Sequence, residues 1–333
     1  VIITLTPNPS LDRTIELAAP LARGDVQRAV AAHQEPGGKG VNIARALEAS
    51  AIESLAILPG DATDPVLVAL RDQGIPHLGV PIGATLRSNV AITEPDGTTT
   101  KVNEPGPVIS PEQELAIVDL VVERAAGAHW LVLAGSLPPG VSPDLYARII
   151  ARVRAALGDT APKIAIDSSG IPLAAALASQ PDLLKPNAEE LAELTGIGNA
   201  DDLEASPRRA ADAARTLIDL GVGAVLATLG SKGAVLVTAA GSWLATSPPI
   251  VARSTVGAGD SSLAGYLLRD LSGAGAPECL RQAAAHGAAA ASLPGSTVPA
   301  MHQTDPDVVT VTPLDPDVVT VTSSVTHPKE DEQ

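Results

Sequence analysis

Short apolar runs alternate with longer stretches of helical periodicity along most of this 333-residue chain. That alternation leaves few folds open. Val1 to Thr6, Ser54 to Leu58, His129 to Ala134, Lys163 to Asp167, Leu183 to Lys185, Ala224 to Leu229 and Ala234 to Thr238 read as strands. Lys39 to Ser50, with Val41, Ile43, Ala44 and Leu47 repeating at helical spacing, reads as a helix facing a sheet. Further helices are expected at Pro65 to Gln73, Pro111 to Ala126, Pro143 to Leu157, Ala188 to Thr195, Pro207 to Leu220 and Gly259 to Leu271. Ser110 before Pro111 is a helix start with its cap and its proline in place. Strands and helices in this order imply an α/β fold in three layers, with a central, mostly parallel sheet covered on both faces.

Two stretches break the alternation. Ser88 to Thr93 and Thr98 to Val102 flank Glu94-Pro95-Asp96-Gly97, a hairpin pattern. Asp12 to His33 is polar. Together they predict a small β-sheet lid built from about residues 10–35 and 85–105. The main domain is expected to span 1–300. Beyond it, Asp305-Pro-Asp-Val-Val-Thr-Val-Thr312 recurs at 315–322. Two copies are too few for a solenoid; a terminal strand is one reading, but 301–333 is expected rather to be an appended, poorly ordered tail.

Glycines and a carboxylate meet in Thr255-Val256-Gly257-Ala258-Gly259-Asp260, at the expected start of the last of these helices. A helix start offers unpaired N–H groups and a positive dipole end, so it can hold phosphate-like charge. A carboxylate beside it can take a proton from a hydroxyl while the amides stabilise a transferring phosphoryl group. The pattern points to a kinase for a small hydroxylated substrate. The formal net charge of −16 disfavours nonspecific nucleic-acid binding. An acidic protein that binds an anion must gather its few cations locally. The chain has one cysteine, Cys279, so it forms no internal disulfide. No signal-peptide pattern or bilayer-length apolar run is evident, and the expected location is the cytoplasm. Phe is absent and the aromatic content is 1%, so aliphatic side chains and Ala must fill the core.

Other motifs sit where strands should end. Pro36-Gly37-Gly38-Lys39-Gly40-Val41-Asn42 is a glycine turn into a helix, with Asn42 able to bond a hydroxyl and Lys39 able to pair with an anion. It lacks P-loop spacing, and alone it reads more readily as an ordinary strand-to-helix turn. Asp12, in Asn8-Pro9-Ser10-Leu11-Asp12, and Ser136, in Gly135-Ser136-Leu137-Pro138, follow strands at the sheet edge where open α/β proteins bind ligands. In Lys185-Pro186-Asn187-Ala188-Glu189-Glu190 the spacing of Asn187 and Glu190 matches a capping box. The functional alternative has Glu190 holding water around a nucleotide-bound Mg²⁺. Thr228-Leu229-Gly230-Ser231-Lys232-Gly233 is either a plain hairpin loop or a loop over a nucleotide. Arg28, Arg87 and Lys101 fall in the expected lid.

These motifs, in this order, resemble the PfkB (ribokinase-like) carbohydrate kinases, from Val1 to about Pro299. The early glycine turn and Ser254 to Ser261 match the family's two signatures. Lys39 and Lys101-Val102-Asn103-Glu104-Pro105-Gly106 look like the branch of 1-phosphofructokinases and tagatose-6-phosphate kinases. The resemblance implies a ribokinase-like fold and dimerisation through the lid. It implies Asp260 as base, with Gly257, Ala258 and Gly259 as anion hole. It places Asp12, Gly38, Asn42 and Ser136 on the sugar, and Lys39, Arg87, Lys101 and Arg28 around its phosphate, Arg28 across a dimer. Lys185, Asn187, Thr228, Gly230 and Gly233, with Gly257 and Gly259, fall on the nucleotide side. ATP and Mg²⁺ are the implied cofactors. The implied reaction converts a ketose phosphate, fructose 1-phosphate first, to its bisphosphate; tagatose 6-phosphate and fructose 6-phosphate are the alternatives. The loop Leu58 to Pro65 is shorter than the pattern and lacks a second glycine. A sugar-phosphate sensor would not need Asp260 with its glycines, a nucleoside kinase would not need the cations, and a dinucleotide dehydrogenase would need a GxGxxG after the first strand.

Overall fold

The computed structural model describes residues 1–315. The chain opens with strands β1 (Ile2–Leu5), β2 (Ser10–Leu17) and β3 (Ala29–Gly37), then helix α1 (Lys39–Ala49). Next come β4 (Ser54–Pro59), α2 (Pro65–Asp72), β5 (His77–Val80), β6 (Arg87–Thr93) and β7 (Thr99–Asn103). The middle of the chain is α3 (Pro111–Arg124), β8 (Trp130–Ala134), α4 (Leu145–Leu157), β9 (Lys163–Asp167), α5 (Gly170–Leu177) and β10 (Leu183–Leu184). Then follow α6 (Ala188–Thr195), α7 (Ala200–Ala205), α8 (Pro207–Asp219), β11 (Ala224–Thr228), β12 (Ala234–Thr238) and β13 (Gly241–Thr246). The last elements are α9 (Ala258–Leu271), α10 (Ala276–Ala291) and β14 (Thr310–Pro313).

Ten strands make the main sheet, in the order β14-β13-β12-β11-β10-β9-β8-β1-β4-β5. Every pair from β11 to β5 is parallel, and the pairs from β11 outward to β14 are antiparallel. Both faces are covered, so central strands are apolar throughout rather than alternating. Alternate residues still go to opposite sides. Ile3 and Leu5 pack with α3, α4 and α8, whereas Ile2 packs with Ile43 and Leu47 of α1 and with α9 and α10. The three expected layers and the mostly parallel centre are present.

The lid is a second sheet in the order β3-β2-β6-β7. Its β6–β7 hairpin closes where Glu94 and Thr98 pair across the turn and the Asp96 carboxylate accepts the Thr98 N–H. β7 is exposed along its whole length. Strands β5 and β13 and helices α5 and α7 lie outside the expected elements; short or weakly periodic segments give little signal.

The tail needs a correction. Residues 301–315 are not an appendage: the first copy of the repeat is a strand on the main sheet. Asp305 caps a turn of 3₁₀ helix, Val309 is buried, and Thr310–Pro313 pairs antiparallel with β13. Val and Thr at alternating positions supply a half-buried edge strand. Asp315, the first residue of the second copy, accepts the Ser242 N–H and pairs with Arg215. The remainder of the second copy lies outside the described residues.

Candidate active site

The glycine motif becomes the start of α9. Gly257 caps the helix at φ 75°, a left-handed conformation that glycine adopts without strain. Its turn leaves the N–H groups of the first helical residues free of helical partners. Asp260 lies in that first turn and is buried. Asn42, on α1, donates its Nδ2 hydrogen to Asp260 Oδ2 at 2.8 Å. Gly38, just before α1, has φ 109°, and a Cβ there would stand 2.7 Å from the Thr6 side chain. Glycine is therefore required for α1 to start close against the end of β1.

Behind Asp260 lies a buried group of charges. Asp167, the last residue of β9, is fully buried; Lys39 Nζ stands 2.5 Å from its Oδ1 and Lys185 Nζ 3.0 Å from its Oδ2. Lys39 is also 3.5 Å from Glu190 Oε1. Lys185 also faces α9, since a Cβ built on Gly259 would come within 3.2 Å of its Nζ. Glu190 and Asn187 form the expected capping box of α6, at 2.9 and 2.8 Å.

These neighbours set the protonation states. Burial, then the charge of Asp167, pushes the Asp260 carboxyl up to about 6; Lys39, Asn42 and Lys185 pull the other way. Burial alone would also raise Asp167, but Lys185 and Lys39 outweigh it and hold that carboxyl below its usual range. Burial would lower Lys39, yet Asp167, Glu190 and Asp260 raise it above the ordinary lysine range. The result is two lysine side chains held beside the start of α9, with one carboxyl poised near neutrality.

Asp12 stands on the lid strand β2, where Ser10 and Asn89 donate to its Oδ1 at 2.6 and 3.1 Å. Burial raises its carboxyl, opposed by those hydrogen bonds and by Arg87 and Arg45. Asp12, Asn89, Lys101, Thr255 and Val256 line one cleft of about 910 Å³ between lid and main domain. A second groove, about 490 Å³, is lined by Asn8, Arg87 and Ser136. In it Arg87 donates to the carbonyls of Asn8 and Glu104, and Asn8 donates to Ser136 Oγ at 3.3 Å.

The sequence-predicted residues thus fall into separate places. Gly257, Ala258, Gly259, Asp260, Asn42, Lys39, Lys185 and Glu190 converge. Arg87 and Ser136 share the smaller groove. Lys101, exposed on β7, lines the larger cleft, and Arg28 is exposed just before β3. Lys39 is held by Asp167 and Glu190, beside Asp260 rather than in the groove of Arg87. Asn42 likewise gives that amide hydrogen to Asp260. Thr228 ends β11 and bridges Asn187, and Gly230 and Gly233 shape the β11–β12 turn beside it. Asp167, Asn8 and Asn89 were not singled out as site residues in the sequence. Asp167 carried a usable signal, since it ends a predicted strand of a parallel sheet.

A profile of the pfkB family carbohydrate kinases matches residues 6–303. The chain belongs to this family. The kinase is 35% identical over 303 residues to an ATP-dependent 6-phosphofructokinase isozyme 2 of Mycobacterium tuberculosis, covering 89% of this chain and 85% of that one. It is 34% identical over 273 residues to a 1-phosphofructokinase of Xanthomonas campestris, covering 79% and 82%. The phosphofructokinase-2 of Escherichia coli, solved in complex with substrates and products, superposes with a TM-score of 0.81 at 30% identity, over 91% of this chain and 96% of that one. The fold of this kinase is accordingly ribokinase-like, and its chemistry is phosphoryl transfer to a sugar hydroxyl.

Proposed function

We propose that this kinase moves the γ-phosphoryl group of ATP to a hydroxyl of a ketose phosphate, with fructose 1-phosphate as the first acceptor. The observation that carries the reading is the buried Asp260 in the first turn of α9, directly after Gly257-Ala258-Gly259. Phosphoryl transfer depends on alignment and charge stabilisation more than on covalent help. The amides opening α9 receive the charge on the transferring group, and Lys185 supplies a positive neighbour. Asp260 orients the acceptor hydroxyl and takes its proton. A carboxyl held at about 6 suits that task near neutral pH. Asp12 and Asn89 bind sugar hydroxyls from the lid, which excludes competing water when it closes.

The phosphate of the sugar goes to the groove of Arg87, Asn8 and Ser136. The Arg87 guanidinium suits an oxyanion, and the Ser136 hydroxyl supplies a second donor. The ATP side runs along the ends of β10 and β11, through Lys185, Asn187, Thr228, Gly230 and Gly233. Among the described residues no cluster of three or more His, Cys, Asp or Glu side chains could hold a metal by itself. A Mg²⁺ carried on the nucleotide phosphates would neutralise their charge, with Glu190 binding its water shell. Val26, Val30 and Val102, 96%, 63% and 58% exposed on the lid, favour a homodimer through that sheet.

Fructose 6-phosphate is the second reading, favoured by the kinship with a 6-phosphofructokinase isozyme 2. The test is ADP release with fructose 1-phosphate, fructose 6-phosphate, tagatose 6-phosphate, free fructose and adenosine. A kcat/KM for one ketose phosphate at least about tenfold above both unphosphorylated acceptors supports the reading. Equal use of free fructose or adenosine removes the phosphate anchor.

A further inference from the structure

One buried arginine has no part in the chemistry above. Arg45 lies on α1 and is 6% exposed, yet four hydrogen bonds engage its guanidinium. Its Nη2 pairs with Glu35 Oε2 at 2.8 Å; its Nη1 donates to the carbonyls of Ser296 at 3.2 Å and Pro36 at 3.4 Å; its Nε donates to Gln73 Oε1 at 3.2 Å. The Ser296 hydroxyl closes the group by donating to the same Glu35 oxygen at 2.9 Å.

These partners belong to different parts of the molecule. Glu35 and Pro36 are on lid strand β3, Gln73 follows α2, and Ser296 follows α10. Two of the joined segments carry walls of the larger cleft. Glu35 pairs in register with Asp12 across β2 and β3. The Asp12 carboxylate lies so close over Gly37 that a Cβ there would fall 2.1 Å from its Oδ2. Pro294, Gly295 and Ser296 line the same cleft as Thr255 and Val256, and a Cβ built on Gly295 would lie 3.6 Å from Thr14 Oγ1 on β2. Asn42, which holds Asp260, sits three residues before Arg45 on the same helix, so their side chains are neighbours.

We propose that Arg45 is a positioning residue for sugar binding, fixing the 294–296 segment against the lid strands that carry Asp12 and so setting the shape of the cleft they line together. The proposal rests on the reading that this cleft holds the sugar. A planar guanidinium with donors in a fixed fork can hold a carboxylate and two carbonyls at once. A lysine ammonium at the end of a flexible stem cannot reproduce that geometry. A buried ion pair of this kind is weak evidence for stability, and its best-attested use is to fix one arrangement among several.

The test is Arg45→Lys, with Glu35→Gln as a milder second variant. The lost charge-assisted bond is expected to raise KM for the preferred sugar about tenfold in Arg45→Lys and by less in Glu35→Gln. KM for ATP should stay within about twofold, because no bond of Arg45 reaches the Lys185–Thr228 side. Should Arg45→Lys fail to fold, Glu35→Gln alone decides by the same split. Equal rises in both KM values, or an unchanged sugar KM in a folded variant, would overturn the proposal. The split is measured with whichever acceptor the parent prefers. A failure of the ketose-phosphate reading therefore shows in the parent's acceptor preference, and a failure of the Arg45 inference shows in the variant.

Discussion

Replacing Asp260 by Asn should stop the reaction and strengthen the fold. The substitution keeps the shape and an acceptor for the Asn42 amide hydrogen, but it removes the charge and the proton acceptor. Loss of a positioned base costs about 10²–10⁴ in rate, so turnover should fall at least about a hundredfold with ATP binding retained. The stability effect has the opposite sign. The Asp260 carboxyl is held at about 6 against an ordinary 3.8. That gap of about two pH units corresponds to roughly 3 kcal/mol. Because the folded value lies above the unfolded one, ionising Asp260 works against the fold. The cost is absent below about pH 4, grows as pH rises towards 6, and is complete above it. Asp260→Asn removes it. The variant should match the parent near pH 4 and exceed it by up to about 3 kcal/mol at pH 7.5. Urea unfolding at the two pH values, beside a coupled assay of ADP release, measures both effects. Turnover within tenfold of the parent would remove Asp260 from the role of base. A variant less stable than the parent at pH 7.5 would show that the buried charge is not a burden on the fold.

Other outcomes follow from the same geometry. The kcat/KM of the parent should fall below about pH 6, where Asp260 takes up its proton; a profile flat to pH 5 would contradict this. Asn42→Ala removes a bond that favours the ionised carboxyl, so that acid limb should move to higher pH, by an amount read from the same profile. Arg87→Gln should raise KM about 10–100-fold for phosphorylated acceptors and leave free fructose nearly unchanged, as steady-state kinetics will show. Val309→Asp buries a charge under β14 and should lower the thermal midpoint by several degrees; an unchanged midpoint would mean that the first repeat copy does not belong to the folded body.

How much of this was legible beforehand depended on distance along the chain. Gly257 to Asp260 and the capping box of Asn187 and Glu190 are local patterns, and both appear where the spacing puts them. The lid could be read because its hairpin turn is local and its other half interrupts a regular alternation. Lys39 could be recognised as a site cation, but not its partner. Its bond to Asp167 spans 128 positions and Asn42 reaches 218 positions to Asp260, so both depend on how α1, β9 and α9 come together. The expected grouping of Lys39 with Arg87 and Lys101 missed that the two carboxylates behind Asp260 need cations of their own. Val and Thr alternation in the repeat was visible, yet its value as an edge strand depends on the open side of β13, which no local pattern reveals. Arg45 carried no sequence signal, being one charge in an amphipathic helix.

A crystal structure of the ternary complex, with the preferred ketose phosphate and a non-hydrolysable ATP analogue, puts the chemistry in view. Asp260 should lie within about 3.2 Å of the acceptor hydroxyl, with the terminal phosphate over the amides that open α9. A closed complex in which that carboxylate turns away from the hydroxyl, or stays beyond hydrogen-bond reach, would contradict the account.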